Sequence, residues 1–529
     1  MPEPPAGAAP KITKVKDVRR DIWISGVVLA LVVLALATIG WLALLHQVGK
    51  RTASADFSEV NLKAKVIGRQ VELIRKLAGI GRSPFLHNQT QDENWKACTS
   101  EDPERSIAGC SALIQSGQQT GINLATALYG RGSAYAEKND YDRAIQDFDQ
   151  ALRLNASFAN AFYGRGWAYE HKGDYDHAIQ DFNQALRLNP DFAIAVRERG
   201  LAYTHKGDYD HAIQDYTEAL RLNQNDAIGF YNRGLAHAHQ SDYDRAIQDY
   251  DQAVLLKPNF PEAFYGRGLA YSNKRDHDHA IRDFNQALQL NPNDAGSFYH
   301  RGIAYAQKGG YDRAIADYDE ALRLDPNLAD AYYSLGMAYR HKSDYARAIQ
   351  QFDQALQLNP TLADAFCARG LAYADKRDYD RAIANYDQAL RVNPSLVNAF
   401  YNRGLAYLLK GDYDRAIADY NQALRLTPND ADAFDSRGVA YAHKGDYERA
   451  IQEYDQAIRV DAGHANAFRN RSVAYAHRGE YLHSVADRGH FLWLRSGILG
   501  TTSRLCLLIL VAVALGFSLK RFRKGPKKG

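Results

Sequence analysis

Residues 295–328 read AGSFYHRGIAYAQKGGYDRAIADYDEALRLDPNL, and the first half of this stretch has the period of an amphipathic helix. Phe298, Gly302 and Tyr305 are spaced i, i+4 and i+7, which places all three on one helix face. The glycine pair at 309–310 follows, and glycine readily adopts the left-handed conformation that ends many helices. The first half of the stretch therefore predicts a helix that ends at these glycines.

The second half of the stretch has a helical face of its own, formed by Ala314, Tyr318 and Ala321. Pro326 then stops this second helix, because proline has no backbone N–H to donate. Small residues on the two faces let the helix backbones approach closely, while the aromatic side chains fill the gaps between them. Residues 295–328 therefore predict a hairpin of two packed helices.

The same hairpin pattern recurs at intervals of 34 residues along most of the chain. The glycines equivalent to Gly302 are Gly132, Gly166, Gly200, Gly234, Gly268, Gly336, Gly370, Gly404 and Gly438. In most units the residue equivalent to Gly310 is an aspartate, such as Asp412, which is a good N-cap for the second helix. Such a hairpin cannot bury its apolar face alone, so its neighbours must stack on it. The stability of the array then comes largely from nearest-neighbour interfaces.

The spacing of these residues resembles the tetratricopeptide repeat, whose signature is a helix-turn-helix unit of about 34 residues. The resemblance covers about residues 125–498 and implies an all-α fold, a right-handed α-solenoid of about eleven such repeats. One departure concerns the residue before the repeat glycine, which is arginine in ten units and leucine at Leu335. We expect these arginines to pair with the aspartate sixteen residues later, as Arg301 with Asp317.

The repeat pattern weakens at both ends of the array. Residues 92–124 contain an echo of a second helix, with Cys110 at the place of the aromatic residue, and they predict a degenerate capping repeat. Cys98 and Cys110 either form a disulfide, which would contribute roughly 3 kcal/mol, or remain two buried thiols. At the other end, the glycine, alanine and aromatic positions hold Ser472, Ser484 and Arg488.

Two apolar segments flank the repeats and are predicted to be transmembrane helices. Residues 22–45 contain no charged side chain, and as a helix they exceed the hydrocarbon core of about 30 Å. In the second segment, residues 505–519 are uncharged but too short to span the core. Residues 498–519 reach the required length, and Arg504 then lies near one boundary. The alternative for the first segment is a cleaved signal peptide, and the alternative for the second is a short interfacial or protein-packed helix.

The formal net charge of +3 is concentrated at the two ends of the chain. Residues 1–21 carry five Lys/Arg against three Asp/Glu, and residues 520–529 carry six Lys/Arg and no acid. Subtracting the +2 and +6 of these ends leaves −5 for the remainder, which argues against the broad basic face of a nucleic-acid-binding protein.

The basic tail after the second segment predicts a cytoplasmic C-terminus. Two crossings then place the basic N-terminus in the cytoplasm as well. The repeats would lie on the other side, which at a bacterial inner membrane is the periplasm. The alternative is a cytoplasmic array in which one or both apolar segments do not cross the membrane.

Residues 56–78, which follow the first apolar segment, predict a juxtamembrane amphipathic helix. Its apolar residues from Phe57 to Ala78 alternate spacings of three and four, as in a heptad seam. This helix either packs on its own chain or, through residues 57–78, joins two chains as a homodimeric coiled coil.

The sequence offers no motif for catalysis or for cofactor binding. It contains no phosphate-binding loop, zinc-protease histidine pair or serine-hydrolase elbow. Many of its 17 histidines share positions of the repeat, which favours solvated sites over metal ligands. No stretch of about 100 residues remains outside the repeats and apolar segments for a catalytic domain. We therefore predict no enzyme, no cofactor and no metal site.

The family resemblance implies that a ligand binds along the concave face, which the first helices of the repeats line. The candidate residues on this face are Tyr163, Tyr231, Tyr265, Tyr299, Tyr333, Tyr401, Asn232, Asn402 and His300. Rigid tyrosines are good anchors for extended ligands. The same tyrosine stripe could instead pack against the next unit, and the asparagines and the histidine could contact a peptide backbone.

These patterns together predict a membrane-anchored scaffold that gathers protein or peptide partners and does not transform a substrate. One alternative is a cytoplasm-facing adaptor built from the same repeats. The other is a carbohydrate-binding module of cell-envelope assembly that uses the tyrosine stripe.

Overall fold

The computed structural model describes residues 89–496. The expectations for residues 1–21, 22–45, 56–78, 498–519 and 520–529 lie outside these described residues. Among the helices of residues 89–496, none has both the length and the apolar character needed to cross a bilayer. The chain divides into two compact units, Met1–Ala195 and Val196–Gly529.

Residues 89–496 form 24 helices and contain no strand, which confirms the predicted all-α class. The first unit holds α1 (Gln89–Cys98), α2 (Pro103–Gln115), α3 (Gly121–Glu137), α4 (Tyr141–Leu154), α5 (Ala159–His171) and α6 (Tyr175–Leu188). Helix α7 (Ala193–His205) spans the division. The second unit continues with α8 (Tyr209–Leu222), α9 (Ala227–His239), α10 (Tyr243–Leu256), α11 (Pro261–Asn273), α12 (His277–Leu290), α13 (Ala295–Gln307), α14 (Tyr311–Leu324), α15 (Ala329–His341), α16 (Tyr345–Leu358), α17 (Ala363–Asp375), α18 (Tyr379–Val392), α19 (Val397–Lys410), α20 (Tyr413–Leu426), α21 (Ala431–His443), α22 (Tyr447–Val460), α23 (Ala465–His477) and α24 (Tyr481–Ser496).

From α3 onwards the odd-numbered helices are the first helices of successive hairpins, and the even-numbered helices are the second helices. In the second compact unit, each second helix from α10 to α22 packs against the first helix of its own hairpin and against that of the next hairpin. Each first helix from α9 to α21 also contacts the next first helix. Among the second helices from α8 to α24, no two contact each other. Because the second helices are spaced farther apart, the first helices form the inner layer of this unit.

In each hairpin, aromatic rings of the second helix pack against small residues of the first helix. In residues 295–328, Tyr318 of α14 lies against Gly302 of α13, where a Cβ atom would sit 2.7 Å from Cε1 of the ring. Ala314, Tyr318 and Ala321 are all buried beside this contact. The two faces predicted from the sequence are therefore the faces that pack together.

Aspartate side chains cap most of the second helices. Asp344 accepts a hydrogen bond from the backbone N–H of Arg347 at 3.1 Å. That backbone hydrogen bond, together with the Arg347 side chain, lowers the pKa of Asp344. Helix α14 is an exception, because Gly310 stands at its N-cap and has no side chain to accept a hydrogen bond.

Helices α1 and α2 form a hairpin at the place of the expected capping repeat. Cys98 of α1 and Cys110 of α2 are joined by a disulfide, and both residues are buried. Asp102 caps α2, and Pro103 is the first residue of that helix. Helix α2 packs against α3, so this hairpin covers the start of the repeat array.

Candidate functional site

Arginine side chains tie the first helices to the second helices around them. Arg301 of α13 donates from Nε and Nη2 to the two carboxylate oxygens of Asp317 of α14, at 2.8 and 2.6 Å. Its Nη1 also donates to Oδ1 of Asn285, on α12 of the preceding hairpin, at 2.6 Å. The guanidinium carbon lies 5.3 Å from the centre of the Phe298 ring. One side chain thus links three helices, and the expected pairing of Arg301 with Asp317 is confirmed.

We call the arginine before the repeat glycine, together with the acceptor sixteen residues later, the arginine clamp. It recurs as Arg131–Asp147, Arg165–Asp181, Arg199–Asp215, Arg233–Asp249, Arg267–Asp283, Arg403–Asp419 and Arg471–Asp487. The acceptor is Glu453 for Arg437 and Asn385 for Arg369. Burial raises the pKa of Asp283, and hydrogen bonds from Arg267 oppose this effect. Where the acceptor is a carboxylate, the clamp therefore depends on both partners, because either charge alone would be buried without its counterpart.

The clamp is missing at one junction in the second compact unit. Leu335 of α15 takes the place of the arginine and is buried, while Gln351 of α16 takes the place of the acid. A different ion pair lies in the same region, where Nε of Arg340 of α15 is 2.7 Å from Oδ2 of Asp375 of α17. This pair joins two first helices directly.

The tyrosines of the predicted stripe pack against aromatic rings of the second helices. Ring centroids are 5.8 to 6.1 Å apart in the pairs Tyr163–Phe182, Tyr231–Tyr250, Tyr265–Phe284, Tyr299–Tyr318, Tyr333–Phe352 and Tyr401–Tyr420. Tyr163 is buried, and the other five stripe tyrosines are half-buried. Burial raises the pKa of Tyr265 to about 12. The rings therefore contribute to hairpin packing, and only part of each half-buried ring is open to a ligand.

The hydroxyl groups of two stripe tyrosines reach the next first helix. Oη of Tyr401 lies 3.2 Å from Oγ of Ser436 on α21. Ser334 on α15 is likewise a hydrogen-bond partner of Tyr299. These contacts correspond to packing on the next unit, which was one of the two roles that the sequence allowed for the stripe. The other role was ligand binding. Contact between the stripe and a ligand stays a prediction.

His300 lies between two tyrosines of the stripe. Its ring centroid is 5.7 Å from that of Tyr265 and 5.0 Å from that of Tyr299. Burial lowers the pKa of His300, which favours the neutral imidazole. A neutral ring can offer one donor and one acceptor to a ligand.

The two candidate asparagines lie on different first helices. Asn232 is half-buried on α9, and Asn402 is half-buried on α19. Asn402 is a hydrogen-bond partner of the Cys367 thiol, whose pKa is raised by burial to about 11. The structure thus places the polar candidates along one layer of helices and does not gather them into one cluster.

Two polar networks at stripe positions were not expected from the sequence. Arg197 stands where most repeats have the tyrosine, and it donates to Glu198 and to Asp226, each at 2.8 Å. Asp435 occupies the same repeat position and accepts a hydrogen bond from Nδ2 of Asn470 at 3.0 Å. Burial raises the pKa of Asp435. The 34-residue register marks both positions as departures from tyrosine, which is the signal that could have found them.

An apolar row runs along the first helices, four residues after the stripe. Its half-buried members are Leu235, Leu269, Ile303, Met337, Leu371 and Leu405. Each lies about one helical turn from a stripe position and so shares its face. Exposed carboxylates stand in the first turns of α15, α17 and α21, at Asp330, Asp364 and Asp432. The inner face is therefore apolar along its middle, and its acidic edge is formed at these three helix starts. There, Oδ1 of Asp432 also lies 3.0 Å from Nε2 of His464.

The histidines at a shared repeat position stack on tyrosines of the preceding hairpin. His239 and Tyr209 are nearly parallel, with ring centroids 4.8 Å apart, and His341 stacks on Tyr311 in the same way. Nowhere in residues 89–496 do three His, Cys, Asp or Glu side chains converge as a metal site would require.

The chain is similar to tetratricopeptide repeat proteins in sequence and in structure. Among solved structures, YrrB, described as a TPR protein with an unusual peptide-binding site, is 29% identical and aligns over 36% of this chain and 97% of its own, with a TM-score of 0.31. MamA from Desulfovibrio magneticus is 25% identical over 32% of this chain and 96% of its own, with a TM-score of 0.31. Yeast Tom70 is 16% identical over 76% and 97%, with a TM-score of 0.37. No curated protein matches the sequence.

Family profiles for the repeat cover most of the array. Profiles described as tetratricopeptide repeat match residues 129–191, 227–260, 261–294, 299–363, 367–431, 419–452 and 436–483. A profile described as TPR repeat matches residues 200–241. Together with the helical hairpins of residues 89–496, these matches show that the chain belongs to the tetratricopeptide repeat family.

Proposed function

We propose that this protein is a membrane-anchored scaffold that binds an extended segment of a partner protein along its inner, first-helix face. Proteins of the tetratricopeptide repeat family are scaffolds that typically bind proteins or peptides. The observation that carries the proposal is the continuous layer from α9 to α23, in which each first helix contacts the next. One extended segment can contact several hairpins at once on such a surface.

The apolar row supplies the attraction between this face and a partner. Side chains such as Ile303 and Met337 are half-buried, so a ligand that covers them removes their remaining apolar surface from water. This contributes about 25 cal/mol per Å² of apolar surface. Asn232 and Asn402 supply amide donors and acceptors for a peptide backbone. The packed stripe tyrosines hold the first helices in place, so that little ordering is needed on binding.

The acidic edge selects the charge of the bound segment. Asp330, Asp364 and Asp432 stabilise their own helices through the helix dipole. Because they are also exposed, they attract basic side chains and disfavour acidic ones. We therefore infer that the preferred partner segment carries Lys or Arg beside apolar residues.

The proposed anchors are the apolar segments at residues 22–45 and 498–519. The six Lys/Arg of residues 520–529 support a cytoplasmic C-terminus, which puts the repeats in the periplasm of a bacterial inner membrane. Residues 57–78 would join two copies where they pair as a coiled coil. Protease added to spheroplasts tests the topology, because digestion of the repeats supports the periplasm and their protection supports the cytoplasmic alternative.

Photo-crosslinking in native membranes tests the proposed binding face. A crosslinking amino acid replaces Gln307 on the first helix α13, and the matched control replaces Gln286 on the second helix α12, because both glutamines are exposed. We expect protein adducts from position 307 and none from position 286. Equal yields at the two positions, or no adduct from position 307 and from the exposed Asn398 on α19, would contradict the proposal. Polysaccharide adducts in place of protein would favour the carbohydrate-binding alternative.

A further inference from the structure

The last described helix, α24, carries exposed apolar residues at positions that other hairpins bury. Leu424 of α20 is 8% exposed, whereas its equivalent in α24, Leu492, is 53% exposed. Ile417 of α20 is 9% exposed, whereas its equivalent, Val485, is 37% exposed. In α20, Ile417 packs with Ala440 and Tyr441 of the next first helix, α21. Leu356, the equivalent of Leu424 in α16, likewise packs with Ala365 of α17. The end of the array therefore presents to solvent the side of a second helix that is normally covered.

This side of α24 differs from the covered sides in its charge. Tyr420 of α20 is fully buried, whereas its equivalent in α24 is Arg488, which is exposed. A further hairpin, or a second copy stacked in the same way, would have to bury that guanidinium at a tyrosine site, which is costly for a charged group. The face is therefore poorly suited to a protein cover of the repeat type.

The exposed side chains form one stripe along α24. Tyr481, Val485, Arg488, Leu492 and Arg495 are spaced i, i+4, i+7, i+11 and i+14, and all five are exposed. We call this stripe, with the flanking residues Leu482 and Trp493, the end face.

The end face combines apolar and basic side chains and has no acidic one. The single acid of α24, Asp487, is buried on the other side of the helix, where Arg471 holds it at 2.7 Å. Trp493, which is 54% exposed, takes the position of the exposed Arg425 of α20. Tryptophan, tyrosine and arginine beside aliphatic residues are typical of helices that lie in the headgroup region of an anionic bilayer.

We propose that the end face lies in the headgroup region of an anionic membrane, so that α24 is parallel to the bilayer surface and the end of the array rests on it. This inference rests on the proposed membrane anchoring. The predicted segment at residues 498–519 begins two residues after α24 ends, which keeps the helix next to the bilayer. The apolar side chains enter the interface, while Arg488 and Arg495 contact lipid phosphates.

A fluorescent label in the full-length protein tests this placement. The environment-sensitive dye NBD is attached at Trp493→Cys, and the matched control is Arg425→Cys, the equivalent exposed position of α20. Both variants carry Cys367→Ser and Cys506→Ser, so that no other free thiol competes for the dye. The protein is reconstituted into vesicles of phosphatidylcholine with phosphatidylglycerol, with and without doxyl-labelled lipid.

We expect a blue-shifted emission and quenching by doxyl lipid at position 493, and neither effect at position 425. Replacing Arg488→Gln or Arg495→Gln lowers the ratio of quenched to unquenched label about fivefold for each arginine, because each basic residue near an anionic surface contributes to its attraction. In vesicles of phosphatidylcholine alone, we expect the same ratio to fall in the labelled protein that keeps both arginines and to respond no longer to the two arginine substitutions.

Flotation of the vesicles separates a failure of this inference from a failure of the anchoring. If the protein floats and position 493 is quenched no more than position 425, the end face does not touch the membrane, although the anchoring stands. If the emission shifts without quenching by lipid and depends on protein concentration, a second copy covers the end face, and the inference is wrong. If the protein does not float at all, both the anchoring and the inference fail.

Discussion

Two neighbouring repeats of the second compact unit have lost opposite features. Residues 295–328 keep the arginine clamp of Arg301 and Asp317, but Gly310 leaves their second helix without an aspartate cap. Residues 329–362 keep the cap, and their clamp is replaced by an apolar and a neutral side chain. Both repeats nevertheless form the same pair of helices, with bounds shifted by 34 residues.

The difference between these repeats shows which interactions can be lost singly. A cap is exposed, so when it is lost, water can accept hydrogen bonds from the backbone N–H groups of the first turn. The clamp of Arg301 holds the buried carboxylate of Asp317, so losing the arginine while this acid stays is costly. At the second repeat both partners are replaced together, Leu335 for the arginine and Gln351 for the acid.

The largest effect is expected from Arg301→Ala. The substitution leaves the Asp317 carboxylate buried without its partner, which should lower the free energy of unfolding by about 3 kcal/mol. Urea unfolding followed by circular dichroism measures this loss. The control is Arg323→Ala in the same repeat, since Arg323 pairs with Glu320 at the surface and its removal should hardly move the transition.

The reverse change at the other repeat should be nearly as harmful. Leu335→Arg places a guanidinium at a buried apolar site where position 351 holds no acid and where the carboxylate nearest in register is Asp319 of the preceding hairpin, which should cost about 2 kcal/mol. Adding Gln351→Asp supplies that acid and should recover most of the loss in the same unfolding measurement. A double variant no more stable than Leu335→Arg would show that this junction cannot hold a clamp.

Replacing the clamp of residues 295–328 by the leucine and glutamine found in residues 329–362 should be tolerated. The double variant Arg301→Leu with Asp317→Gln removes both charges together, so its stability should stay within about 1 kcal/mol of the parent protein. Thermal unfolding of the double variant and of each single variant completes a double-mutant cycle. Additive losses in the two single variants would mean that the partners do not depend on each other.

The smallest effect should come from restoring the missing cap with Gly310→Asp. At pH 7 we expect a gain of about 0.5 kcal/mol, from the cap and from the reduced freedom of the unfolded chain. At the equivalent cap, hydrogen bonds from Arg347 lower the pKa of Asp344 in the folded state. Such a carboxylate stabilises the fold fully above its unfolded pKa, and this contribution is lost as pH falls through the lower folded value. Melting curves from pH 7 to pH 2 should therefore show the gain shrinking in acid, and a gain independent of pH would exclude the charged cap.

Much of the fold could be predicted because the repeat presents the same pattern many times. The 34-residue interval, the small residues at Gly302 and Ala314 and the pairing of Arg301 with Asp317 all follow from positions that recur. The second contact of the arginine, to Asn285 of the preceding hairpin, could not be predicted, because it depends on how adjacent hairpins are rotated.

The candidate site was harder to predict than the fold. The stripe tyrosines were expected on the first helices, but sequence spacing does not show how far each ring enters the neighbouring hairpin. The buried network of Arg197, Glu198 and Asp226 depends on an arginine followed by a glutamate, which no other repeat has at these two positions. Similarly, the exposure of Leu492 depends on the absence of a further hairpin after α24 in the described residues.

Hydrogen exchange along the chain tests most directly the claim that hairpins are stabilised by their neighbours. In the Arg301→Ala variant we expect backbone exchange to rise most in α13 and α14, to rise less in α11, α12, α15 and α16, and to be unchanged by α22. This gradient is the signature of nearest-neighbour stabilisation. A rise confined to α13 and α14 would mean that each hairpin is stable alone, and it would contradict this account of the protein.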